Sequence, residues 1–317
     1  MTGVPAEDSR VRTVFLGSGG FGLPAFRRLA DDPAVELVGV VTAPSRPAGR
    51  GQRQTSSVIA DAATELGAPI LAPERLRAPE SIAEVLALRP ELLVLADYGQ
   101  IVPAVLLDVR HGALNLHPSL LPRHRGSTPI PAAILAGDAE TGVSLIRMDA
   151  GLDTGPIIAQ ERLTLVGTET TPVLEGALAA AGADLLEKHV GPWLRGELEA
   201  LPQAKDGATL TRPLRREDGR LDPEKPAAEL QRQVRAYQPW PGSFADTPVG
   251  RLVVWSANAE SSGGPGVGTF DERGLGVGDG GWLDLVEVQP AGGKRMTWDA
   301  FLRGRPSIVG GRVVPAP

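Results

Sequence analysis

Between residues 11 and 195 the chain repeats one alternation, a short apolar run followed by a helical stretch. The apolar runs are VRTVFLG (11–17), VELVGVVT (35–42), PILA (69–72), ELLVLADYG (91–99) and ALNLH (113–117), then VSLIRMD (143–149) and PIIAQERLTL (156–165). Helical stretches are expected near 24–32, 56–67, 80–88, 103–109 and 171–195. Continuous apolar strands alternating with helices predict an α/β fold with a mostly parallel sheet covered on both faces. Ligands of such sheets bind beyond the carboxyl ends of the strands. After a polar stretch at 196–213 the texture changes to short β-type runs separated by glycine-rich turns, with one helix near 226–237. That pattern predicts a small β-barrel or sandwich.

Composition narrows the function classes. None of the apolar runs approaches membrane-spanning length, and the N-terminus lacks a signal-peptide core. The absence of cysteine excludes disulfides and thiolate metal sites and fits a reducing cytoplasm. The four histidines (111, 117, 124 and 189) show no metal-ligand spacing, so no metal is expected. The net charge of −6 argues against wholesale coating of nucleic acid.

Three stretches are candidates for chemistry. GSGGFG (17–22) follows a strand and precedes a helix, as a dinucleotide-binding turn does. Thr42 and Ala43, however, stand where a ribose-binding acid belongs, and a tight strand–helix turn needs glycine anyway. In ALNLHPSLLP (113–122) the strand period puts Asn115 and His117 on one face and Leu114 and Leu116 on the other. Pro118 ends the strand. A lone histidine there is most often structural, but an amide beside an imidazole at a sheet lip supplies what a developing oxyanion and a moving proton require. MDAGLDTGPI (148–157) is a Gly-flanked loop with two carboxylates, either a plain turn or the source of a carboxylate that orients His117.

The order N-x-H-P-S-L-L-P, R-H-R-G, G-D-A-E-T-G-V and M-D-x-G-L-D-T-G resembles the catalytic segment of folate-dependent formyltransferases. SRPAGRGQ (45–52), RAYQPWPGSF (235–244) and QPAGGKRMTWDAFLRG (289–304) are similar to further motifs of the methionyl-tRNA formyltransferases. The resemblance implies a Rossmann-like catalytic domain over 1–202, a linker over 203–212 and an OB-like β-barrel domain over 213–317. It implies a catalytic trio of Asn115, His117 and Asp153, rather than Asp149, with a protonated His117 facing the oxyanion. The folate site is implied at Tyr98, Gly99 and Ser119, Leu120, Leu121 and Pro122. Arg46 and Arg50 are implied as tRNA contacts. The implied co-substrate is 10-formyltetrahydrofolate and the implied partner initiator methionyl-tRNA, with no obligate protein partner. A further expectation is that Arg212, Arg215, Arg216, Arg220, Arg232 and Arg235 join Lys294, Arg295, Arg303 and Arg305 in one basic stripe.

The sequence departs from the family at Asp97, at Pro131 with Ala132, and in GSGGFG itself. Two alternatives stand beside the main reading. One is formyl transfer to a sugar-nucleotide amine; the other is a nicotinamide-dependent oxidoreductase built on GSGGFG.

Overall fold

The computed structural model describes residues 10–48 and 53–315. The chain divides into two compact units, one of residues 1–129, 140–164 and 175–211, the other of 130–139, 165–174 and 212–317.

The first unit begins with β1 (Val11–Leu16), α1 (Gly22–Asp31) and β2 (Val35–Val41). The hairpin β3 (Arg46–Ala48) and β4 (Arg53–Thr55) follows, then α2 (Val58–Glu65), β5 (Ile70–Leu71) and α3 (Pro79–Ala87). Next come β6 (Leu92–Ala96), α4 (Ala104–Leu107), β7 (Ala113–His117) and β8 (Arg125–Gly126). Helix α5 (Pro129–Ala136), which apart from Pro129 belongs to the second unit, precedes β9 (Glu140–Arg147), β10 (Ile157–Thr164), α6 (Thr171–Leu194), whose first turn is also in the second unit, and β11 (Leu210–Thr211).

Seven strands form the main sheet in the order β10-β9-β7-β6-β1-β2-β5. Pairings among β7, β6, β1, β2 and β5 are parallel, whereas β9 runs antiparallel to β7 and to β10. The Rossmann-like reading therefore holds, with an antiparallel edge. Helices on both faces explain why β6 (LLVLA) is buried at every position. β7 differs at one residue: Asn115 alone is half-buried.

One sheet face packs Val14, Leu16, Leu93, Leu95 and Ala113 against Leu76, Val85 and Leu106. Strand register places Leu93 beside Ala113 and Leu95 beside Asn115. The row Ala113–Asn115–His117 thus turns from apolar to polar toward the carboxyl end of β7.

The stretch 203–212 is not a free linker. Leu201 exchanges backbone hydrogen bonds with Ile157 at 2.7 and 2.8 Å, and β11 pairs in parallel with β8. All but Arg212 belongs to the first unit.

The second unit holds α7 (Ala227–Ala236), β12 (Ser243–Thr247), β13 (Gly250–Glu260), β14 (Gly274–Gly276), β15 (Trp282–Pro290), β16 (Met296–Thr297) and α8 (Trp298–Gly304). Its antiparallel strands run β12-β13-β15-β14, with β16 on β15. The sheet curls into a half-barrel around Leu230, Val234, Leu252, Val254, Leu283, Val288 and Phe301. Among the described strands, β12 and β14 do not pair with each other, so the expected barrel is left open. Helix α8 went unread in the sequence because seven residues carry too little periodicity. Its signal was Thr297, whose hydroxyl accepts from the Ala300 amide as an N-cap.

Candidate active site

Asn115 and His117 come from β7; their third partner arrives from the opposite end of the strand. Because β9 is antiparallel to β7, the loop 148–156 starts beside Ala113, where the Met148 amide donates to the Ala113 carbonyl at 2.8 Å. It then folds back over the sheet. The Asp153 carboxylate ends 3.5 Å from Asn115 Nδ2 and 3.7 Å from His117 Nδ1. The Gly126 amide donates to Asp153 Oδ2 at 2.8 Å. Asp149 faces elsewhere: its carboxylate accepts from the Gly151 amide and the Thr154 hydroxyl, capping its own loop. The structure therefore brings together Asn115, His117 and Asp153 and leaves Asp149 as a turn former.

His117 is 4% exposed, and its Nε2 lies 2.9 Å from the His124 carbonyl oxygen. Burial pushes the imidazole below its ordinary pKa. The Asp153 carboxylate and the His124 carbonyl act the other way, and the His124 ring opposes charging again. Burial is the largest of these influences and favours the neutral ring, against the protonated His117 that the resemblance implies facing the oxyanion.

Backbone strain gathers in the same place. The described non-glycine residues at positive φ are Arg89, Asp97 (+55°), His124 (+57°) and Asp153 (+52°). The last three lie in the loops after β6, β7 and β9. Such conformations persist only where surrounding contacts impose them, and they concentrate at functional sites.

The expected folate residues divide into two kinds. Tyr98 packs partly buried against the sheet core, and its hydroxyl has no partner. Burial raises the phenol pKa to about 12. Gly99 faces open space. Ser119 is fully buried with its hydroxyl donating to the Arg123 carbonyl at 2.6 Å, and Leu121 is buried as well. Leu120 and Pro122 are only partly buried.

GSGGFG serves close packing. A β-carbon on Gly17 or Gly22 would sit 2.6 or 2.7 Å from the Ala96 carbonyl, and one on Gly19 only 1.6 Å from an Asp97 carboxylate oxygen. An anionic side chain over the loop opposes a dinucleotide pyrophosphate. Desolvation holds the Asp97 carboxyl above the usual carboxylate range, and Glu175, beside Gly20, is raised by desolvation and by the Asp97 charge.

Arg46 is exposed on the β3–β4 hairpin. Arg50 lies outside the described residues. Much of the expected basic stripe is already engaged within the second unit. Arg212 pairs with Asp218, Arg220 with Asp246 and Arg295 with Glu287. Arg232 and Arg235 donate to the Leu135 and Glu169 carbonyls. They line a cleft of about 390 Å³ with Glu169 and Asp138 to which none of the trio contributes. Arg216, Lys294 and Arg303 make no ion pair among the described residues. No group of three or more His, Cys, Asp or Glu among the described residues is arranged to hold a metal. None of the described helices is long and apolar enough to cross a membrane.

Comparison with known proteins matches both parts of the chain. Residues 11–190 match the formyl transferase family, and residues 213–306 match the formyl transferase C-terminal domain. A Rossmann-like unit and a second domain that match these two families make the chain a formyltransferase. A methionyl-tRNA formyltransferase of Roseiflexus sp. (strain RS-1) is 40% identical over 301 residues, 93% of this chain and 92% of that protein. Those of Myxococcus xanthus and Halorhodospira halophila are each 41% identical, over 93% and 94% of this chain and 96% and 98% of theirs. The chain belongs to the methionyl-tRNA formyltransferase family. Among solved structures, WlaRD, a sugar 3N-formyl transferase, matches with a TM-score of 0.62 at 17% identity, covering 86% of this chain and 95% of its own. An N-formyltransferase from Helicobacter canadensis matches with a TM-score of 0.61 at 18% identity, covering 86% and 97%. At such identities these two share the fold.

Proposed function

We propose that the chain transfers the formyl group of 10-formyltetrahydrofolate to the α-amino group of initiator methionyl-tRNA in the cytoplasm, with Asn115, His117 and Asp153 as its catalytic groups. The observation that carries the reading is the convergence on one carboxylate of an amide and an imidazole from a strand 38 residues earlier in the chain. Family membership at about 40% identity over nearly the whole chain supports the choice of acceptor.

The attacking group is a free amine, whose ordinary pKa near 8 leaves part of it unprotonated at neutral pH. As its nitrogen bonds to the formyl carbon, the carbonyl oxygen takes up negative charge, and Asn115 Nδ2 is the donor placed to hold it. The amine then carries an excess proton. His117 keeps one hydrogen on Nε2 for the His124 carbonyl, so Nδ1 is the nitrogen that accepts this proton. The imidazolium formed is stabilised by Asp153 alongside. His117 returns the proton to the folate nitrogen as the bond from that nitrogen to the formyl carbon breaks. No covalent enzyme intermediate is needed. The 3.7 Å separation tightens when the imidazolium forms, as catalytic hydrogen bonds do on loading.

The folate is proposed to lie along Tyr98, Gly99, Leu120 and Pro122, with Ser119 and Leu121 shaping the turn from within. Arg46 and Arg50 are proposed to grip acceptor-stem phosphates. The test is formyl transfer from 10-formyltetrahydrofolate to charged initiator tRNA, beside a 4-amino sugar nucleotide and an NADH titration. Formylated methionyl-tRNA alone is the expected product. Transfer to the sugar amine only, or NADH binding without transfer, would replace this reading.

A further inference from the structure

Asp153 occupies a left-handed conformation that a non-glycine residue holds only under constraint, and the constraint comes from 50 residues away. The Gln203 amide nitrogen donates to the Asp153 carbonyl at 2.7 Å and to the Gly155 carbonyl at 2.8 Å. Its amide oxygen accepts from Arg125 Nε at 3.1 Å and Nη2 at 2.6 Å. Carbonyls only accept and a guanidinium only donates, so this orientation of the amide alone satisfies all four contacts. Both amide hydrogens and both oxygen lone pairs are engaged. Arg125 lies in β8, next to the Gly126 whose amide holds the Asp153 carboxylate. One side chain therefore ties the loop bearing the acid to the strand that anchors it.

Gln203 is itself held at both ends. Leu201 bridges to Ile157 on β10. Farther on, the Thr209 hydroxyl accepts from the His124 amide at 2.8 Å, and the Thr211 hydroxyl accepts from Thr128 and donates to the Arg125 carbonyl. Residues 201–211 thus form a strap that fixes the His117 partner carbonyl and the Asp153 loop together.

Resting on the formyl-transfer reading, we propose that Gln203 is a positioning residue that holds Asp153 in register with His117, and that the strap 201–211 is part of the active site. Glutamine alone among similar-sized side chains offers two donors and two acceptors at this reach. Methionine offers neither. Glutamate keeps the Arg125 contacts but turns a carboxylate toward two carbonyl oxygens. Of the charged or titratable groups acting on His117, Asp153 is the one that favours its charging and His124 the one that opposes it.

The experiment compares full-length wild type with Gln203→Met and Gln203→Glu in two readouts. In steady-state kinetics both variants should lose kcat on the order of 10²-fold, the usual cost of about an ångström of misplacement, with KM for folate and tRNA unchanged. In NMR titrations, with the His117 signal assigned by its loss in His117→Ala, Gln203→Met should move His117 titration to lower pH, because the attraction of Asp153 weakens, while the carboxylate added in Gln203→Glu offsets part of that loss. A strap that merely stabilised the fold would lower the melting temperature without moving that titration. Unchanged kcat in both variants together with an unchanged titration in Gln203→Met would overturn the proposal. If wild type formylates nothing, the formyl-transfer reading falls and the titration decides the positioning of Asp153 by itself.

Discussion

The His117 Nε2 nitrogen donates to the backbone carbonyl of His124 at 2.9 Å, and that one contact sets which nitrogen can do chemistry. A carbonyl accepts only, so the hydrogen of the neutral ring stays on Nε2 and Nδ1 faces Asp153 unprotonated. His124 can offer its carbonyl this way because it adopts positive φ, with its amide anchored on the Thr209 hydroxyl.

His117 should titrate below the ordinary imidazole value near 6.5. Burial is the largest influence and disfavours the charged ring, outweighing Asp153 and the carbonyl. The ring is therefore neutral at pH 7 and charges only as the pH falls through its lowered pKa. An NMR titration of the His117 ring checks this. A midpoint above 6.5 would show that Asp153 and the carbonyl outweigh burial.

Asn115→Ala should lower kcat by about 10²–10³-fold, the typical loss for one oxyanion donor. Asp153→Ala should abolish most turnover as well. Folate affinity, followed by fluorescence quenching, should change little in either, since both groups act mainly in the transition state. Near-wild-type kcat in either variant would remove that residue from the mechanism.

Tyr98→Phe should leave folate affinity unchanged and stabilise the fold by about 1 kcal/mol, because the hydroxyl it deletes is buried without a partner. Urea unfolding measures the change. A loss of stability would mean that the hydroxyl contributes a favourable interaction.

Asp97→Asn should raise the melting temperature at pH 7 and lose that advantage under acid. The folded-state pKa of Asp97 is raised, so its ionisation costs stability as the pH rises through that pKa. Below the unfolded value near 3.8 the carboxyl is protonated in both states, and the two proteins should melt alike. A constant difference across this range would point to packing instead.

Arg46→Ala should raise KM for methionyl-tRNA and make its salt dependence shallower by about one phosphate contact. Folate KM should not move. An unchanged salt slope would reduce the β3–β4 hairpin to a connector.

The sequence by itself determined the sheet and one side of the site. Strand alternation is a local property, so ALNLH was legible as 113–117, and a period of two put Asn115 and His117 on one face. Helix α5 was not legible, because PIPAAILA is apolar on every side and leaves no periodicity to read. Tertiary structure alone decided how the other side of the site is completed. The loop from β9 folds back over β7, Asp153 is held at positive φ, and a supposed linker turns out to carry Gln203 and Thr209. Each depends on hydrogen bonds between segments 27 to 85 residues apart, and no local pattern of residue types encodes such partners. The charge state of His117 belongs with them. It follows from what surrounds the ring, and burial at 4% exposure is a property of the fold as a whole.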